Sequence, residues 1–132
     1  MALRGIRGAI TVKKNSKKEI LSATEKLLKK MISLNKIKTN DVASVIFSVT
    51  RDLNAEFPAF AARKLGWLYT PLLCMNEIPV RGSLSKCIRI LIHVNTGKKQ
   101  GKMKHVYLGK AKKLRPDLGT GKKDLYYISN SK

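Results

Sequence analysis

Acidic residues are what this chain most conspicuously lacks. Only 8 Asp and Glu stand against 28 Lys and Arg, a formal charge of +20 at neutral pH. That balance excludes acidic-surface roles and points to anionic partners. Cysteine and histidine are scarce too, with two of each. Cys74 and Cys87 are too few for a disulfide framework, and no close Cys or His pair starts a zinc site, so reduced thiols and no metal are expected. Aromatic residues make up 6% of the chain and are not interleaved with arginine, so no stacking platform for single-stranded nucleic acid is visible. Long apolar runs are also missing. Nothing approaches a membrane span, and Met1-Ala2-Leu3 leads straight into Arg4-Gly5-Ile6-Arg7 without a signal-peptide block, so a cytoplasmic address is expected. No internal repeat or low-complexity block is present.

What remains is 132 residues, 43% hydrophobic, the size and composition of one globular domain. The surplus charge is unevenly placed. Residues 13–38 carry nine Lys against two Glu, and residues 96–132 carry eleven Lys or Arg against two Asp. A continuous cationic tract would make nucleic acid the partner through counterion release. The first block has another explanation. Ser16-Lys17-Lys18-Glu19 has capping-box spacing and predicts a helix start. Ile20, Thr24, Leu27, Leu28 and Met31 follow on one face, leaving Lys17, Lys18, Lys26, Lys29 and Lys30 mainly on the solvated remainder. The arginines at 4, 7, 51, 63, 81, 89 and 115, scattered among apolar or small residues, are the cations still to be explained.

Residues 3–12 read as a first strand, with Arg7 between small neighbours, and Val42–Thr50, dense in β-branched residues, as a second. The alanine-rich stretch 57–65, with Pro58 in its first turn, predicts a short helix ending near Gly66. A third strand is expected at Thr70–Met75, followed by a turn at 79–83, and a short last strand at His105–Leu108. Cys87–Asn95 is the clearest strand: Ile88, Ile90, Ile92 and Val94 make one face, and Cys87, Arg89, Leu91 and His93 the other. This order predicts an α+β domain with a mixed sheet, one long helix and one short helix. Two helices cannot cover both faces of such a sheet, so a homo-oligomer is expected. Residues beyond Pro116 read as a mobile basic tail.

Arg89 is the sharpest chemical signal. A guanidinium in the middle of Cys-Ile-Arg-Ile-Leu-Ile-His-Val falls where a sheet centre is normally desolvated, and it needs an anion. The readings open are a salt bridge to a carboxylate of this chain, simple solvent exposure on the strand's polar face, or an anionic ligand. Glu77 is the sole acid between Glu56 and Asp117, and as a lone Glu it also reads as a solvated surface group. Cys74 has no local base to make it a nucleophile, so a small buried hydrophobe is its default reading. Tyr107 reads as a packed strand aromatic whose hydroxyl can donate to a carboxylate.

Taken together, Arg4-Gly5-Ile6-Arg7-Gly8-Ala9, Asp52-Leu53-Asn54-Ala55-Glu56-Phe57-Pro58-Ala59, Arg63, Pro71-Leu72-Leu73-Cys74-Met75-Asn76-Glu77, Cys87-Ile88-Arg89, His105-Val106-Tyr107-Leu108 and Leu114-Arg115-Pro116-Asp117-Leu118 resemble the small monofunctional chorismate mutases of the trimeric α/β type. The resemblance implies a barrel-like mutase domain over residues 1–118, with 119–132 as a flexible tail. It also implies a homotrimer with sites at subunit clefts and conversion of chorismate to prephenate by a [3,3] rearrangement without cofactor, metal or covalent intermediate. It places Arg89 against the ether oxygen of the breaking bond, Arg7 and Tyr107 at the carboxylate end, and Glu77 and Cys74 at the ring hydroxyl. Phe57, Ala59, Arg63, Leu73, Leu114 and Arg115 become wall, rim or tail positions. Phe60 stands where the family pattern has a basic residue, and the segment before Trp67 is one residue shorter. An enamine or imine deaminase of similar trimeric architecture, and a basic nucleic-acid-binding domain, are the alternatives; no specific nucleic acid and no membrane is the expectation.

Overall fold

Ser16 begins the first helix as its spacing predicts: in extended backbone, its Oγ accepts the Glu19 amide at 3.2 Å. Glu19 does not return the favour to Ser16. Its Oε1 instead accepts the amides of Lys13 and Lys14, each at 3.1 Å, and so ties down the loop that enters the helix. The computed structural model describes residues 1–114. In chain order its elements are β1 (Ala2–Thr11), α1 (Lys17–Asn35), β2 (Val42–Val49), α2 (Ala59–Lys64), β3 (Leu72–Asn76), β4 (Cys87–Thr96) and β5 (Val106–Leu108), with 3-10 turns at Thr39–Asp41, Gln100–Lys102 and Gly109–Leu114. The short helix is smaller than the 57–65 expected, because Pro58 occupies its N-cap. The third strand lies further along, and β5 loses His105. The tail at 119–132 and the site residue Arg115 lie outside the described residues.

The five strands form one mixed sheet in the order β3-β2-β4-β1-β5. β4, the most regular alternation in the sequence, is central, antiparallel to both β1 and β2, while β3 and β5 pair in parallel at the two edges. One face carries Ile6, Ile10, Val45, Phe47, Ile88, Ile90, Ile92 and Val94, buried with Ile20, Leu27, Leu28 and Met31 of α1 in the main core. Gly8 lets the helix come this close. A Cβ there would sit 2.5 Å from Met31 Sδ.

The opposite face carries no helix among the described residues. It presents Ser44, Ile46 and Ser48 of β2 in register with His93, Leu91 and Arg89 of β4, then Gly5, Arg7 and Ala9 of β1. Of the readings open for Arg89, partial solvent exposure holds, since its side chain is 44% exposed. Alternation distinguishes two faces of a strand without saying which is covered. At the β1–β5 end the Gly109–Leu114 turn folds over this face, making a small second core of Ala9, Cys87, Tyr107 and Ala111. No helix among the described residues is long and apolar enough to cross a membrane.

Candidate active site

β1, β4 and β5 each deliver one functional side chain to the open face. Arg7 and Arg89 come from β1 and β4, one residue out of register, because Ala9 is the direct partner of Arg89. Tyr107 is the β5 partner of Ala9 and is almost fully buried. Glu77 follows β3; its amide donates to the Val49 carbonyl at 2.8 Å, which continues the β2–β3 ladder one step past Asn76. These four, with Leu114 from the overlying turn, line a cleft of about 430 Å³.

The strongest contact in the cleft is an ion pair: Arg89 Nε lies 2.6 Å from Glu77 Oε2. It reaches across β2, where Ser48 stands in register with Arg89 on one side and Met75 on the other. A small side chain there leaves room for the pair. The carboxylate that Arg89 requires is thus Glu77, and no carboxylate among the described residues pairs with Arg7. Two guanidiniums and one carboxylate leave the cleft net cationic, suited to an anion and unsuited to a metal ion.

A hydrogen-bonded clamp sets the start of β4. The Asp52 carboxylate accepts the Lys86 amide at 3.1 and 3.0 Å and the Thr50 hydroxyl at 2.5 Å, while Thr50 Oγ1 accepts the Cys87 amide at 3.0 Å. Arg89 lies two residues beyond. Burial pushes the Cys87 thiol up to about 11, against the smaller opposing influence of the Arg89 charge.

Cys74 is not in this cleft. It pairs with Phe47 and faces the helix side, because residues three apart on a strand, such as Cys74 and Glu77, point to opposite faces. The placement of both at one ring hydroxyl therefore does not hold within one copy of the chain. Cys74 lines a second cleft of about 400 Å³ with Leu53, Glu56, Phe57, Pro58 and Asn76. Burial also raises its thiol pKa, opposed by the Ala59 main chain and the Arg63 charge. Phe57 and Phe60 meet edge to face at 6.0 Å, and the Arg63 guanidinium lies 5.6 Å from the Phe60 ring centre. Phe60, without a charge of its own, thus gives Arg63 a surface to rest on. Leu73 lies on the open face, 57% exposed at the edge strand. Apart from Leu73, the expected site residues among those described fall into two groups: Arg7, Glu77, Arg89, Tyr107 and Leu114 in one cleft, and Phe57, Ala59, Arg63 and Cys74 in or beside the other. Ser48, Ile46 and Leu91 also line the first cleft, and the strand alternation around Arg89 could have found them.

Residues 3–118 match the family model for chorismate mutase type I. The chain is 49% identical over 123 residues to chorismate mutase AroH of Bacillus subtilis (strain 168), covering 92% of this chain and 97% of that one. It is 50% identical over 117 residues to chorismate mutase AroH of Thermus thermophilus, covering 88% and 96%. A solved chorismate mutase from Clostridium thermocellum superposes with a TM-score of 0.81 at 56% identity, covering 82% of this chain and 96% of that one. This decides against the deaminase and nucleic-acid readings, and with an open-face cleft built on Arg7, Glu77 and Arg89 the chain belongs to the type I chorismate mutase family.

Proposed function

We propose that this protein is a chorismate mutase whose open-face cleft is one half of the active site, and that a neighbouring copy in a homotrimer supplies the other half. The isomerisation of chorismate to prephenate breaks a C–O bond as it forms a C–C bond within one molecule, so it needs neither base nor nucleophile. It needs a compact reactive conformer and stabilisation of the charge that separates. Arg89, held by Glu77, faces the ether oxygen as negative charge builds there. Arg7 and Tyr107 bind the carboxylate end, and Glu77 accepts from the ring hydroxyl. Leu114 lies at the rim, and the family resemblance gives Arg115 a substrate-binding role.

The observation that carries this reading is the Arg89–Glu77 pair in a 430 Å³ cleft, beside an Arg7 that pairs with no carboxylate among the described residues. Exposed Leu73, Met75, Ile78 and Val80 support burial of this side against another copy, whose Phe57, Ala59, Arg63 and Cys74 close the substrate in.

Addition of the protein to chorismate abolishes its ultraviolet absorbance; an unchanged spectrum under conditions that support a reference mutase refutes the activity. Subunit mixing tests the shared site. Arg89→Ala and Phe57→Asp, each inactive alone, regain about a quarter of parental sites when randomly mixed in a cyclic oligomer. No regain places both residues in one subunit.

A further inference from the structure

β5 is only three residues long and pairs with Gly8–Ile10 of β1. The part of β1 that carries Arg7 therefore has no described strand on that side, although its main-chain groups still require partners. Side chains supply them. The Arg7 amide donates to His105 Nδ1 at 2.9 Å. Two residues upstream the Gly5 amide donates to Gln100 Oε1 at 2.9 Å, and Gln100 Nε2 donates to the Gly5 carbonyl at 2.6 Å. Gln100 thus presents one acceptor and one donor to Gly5, as a strand residue would. An accepting Nδ1 puts the ring proton of neutral His105 on Nε2.

These rungs bear on the cleft through geometry. The direction in which a strand side chain leaves the backbone follows from its peptide planes, and Arg7 is fixed by β4 on one edge and by the His105 ring on the other. We propose that His105 is a positioning residue for the Arg7 guanidinium, its imidazole replacing a missing ladder rung, with Gln100 as a second pin at Gly5. The proposal rests on the reading of Arg7 as a substrate-carboxylate group.

Steady-state kinetics of the full chain with chorismate test it. His105→Leu removes the acceptor and lowers kcat/KM about tenfold, less than the hundredfold that a 1 Å misplacement can cost. His105→Asn, whose Oδ1 falls where Nδ1 lies, stays within about twofold of the parent, because it keeps the acceptor. The deciding measurement is a double-mutant cycle: on an Arg7→Ala background, His105→Leu has no further effect, because it acts through Arg7. A second full loss on that background, or an Asn variant as poor as the Leu variant, overturns the proposal while leaving Arg7 in the site. If Arg7→Ala alone leaves kcat/KM unchanged, the reading of Arg7 fails first and the proposal falls with it. Should His105→Leu not fold, His105→Gln takes its place in the cycle, since its amide sits one bond too far out to fill the Nδ1 position; its expected and overturning results are the same.

Discussion

On one side of β4, Ile88, Ile90 and Ile92 are buried beneath α1; on the other, Arg89, Leu91 and His93 stand on a face that no helix of the described residues covers. A ten-residue strand thus serves two purposes at a spacing of one residue. The helix side is a closed, dry packing problem in which size decides. The open side is polar, cationic and built around small residues such as Ala9 and Ser48, so it has room for a ligand and depends on charge and direction instead. Stability and chemistry are therefore separable in this molecule, although their residues alternate along the same backbone.

Substitution on each side should break different properties. Phe47→Ala, in the dry core, is expected to cost about 3–5 kcal/mol of stability, seen as a shifted chemical-denaturation midpoint, while the protein that remains folded keeps most of its kcat. Arg89→Leu is expected to do the reverse. Turnover falls about a hundred- to a thousandfold, roughly 3–4 kcal/mol in the barrier, with little change in melting. Arg89→Lys stays poor because a point charge on a flexible stem does not replace the planar fork. Equal activity of Arg89→Leu and the parent would falsify the role given to the open face.

Cys87 sharpens the comparison, since it sits on the open side yet is sealed under the Gly109–Leu114 turn. Its thiol moves from an ordinary 9.0 to about 11 on folding. A raised pKa in the folded state leaves stability unaffected below about pH 9 and lowers it between 9 and 11, as the unfolded chain ionises first, by up to roughly 2–3 kcal/mol. Denaturant titrations of the parent and Cys87→Ala across that range should diverge; parallel curves would mean the thiol is not sealed. The smallest effect concerns the lysines. Those of α1 lie on the far side of the sheet from the cleft, so added salt should raise KM no more than a few-fold through weakened steering and leave kcat unchanged. A large salt effect on kcat would place lysines inside the chemistry.

The elements that fill the core were readable because each carries its own period or cap: the Ser16 start, the α1 stripe, and the alternation of β4. Family likeness supplied the residues of the proposed site but not their geometry. The pattern around Arg89 left burial and exposure both open, because what covers a face is not written in the strand itself. Cys74 was grouped with Glu77, although their odd separation on one strand already argues for opposite faces. Gln100 and His105 gave no signal, because their roles arise only where β5 stops short. Asp52 was visible within a motif, but its two bonds to the Lys86 amide need a loop closed across more than thirty residues.

The strand order has a kinetic consequence. β4 holds the centre of the sheet, yet it is the fourth strand to be made, and its partner β1 lies at the other end of the described chain. During synthesis β1, α1 and β2 emerge with no completed sheet to join, because the strand that bridges β1 to β2 has not been translated. Pairings this distant in sequence carry the loop-closure entropy that slows folding. The sheet can therefore close only once residues up to Thr96 have left the ribosome, and until then the apolar sides of β1 and β2 remain for chaperones, or for each other's copies, to find.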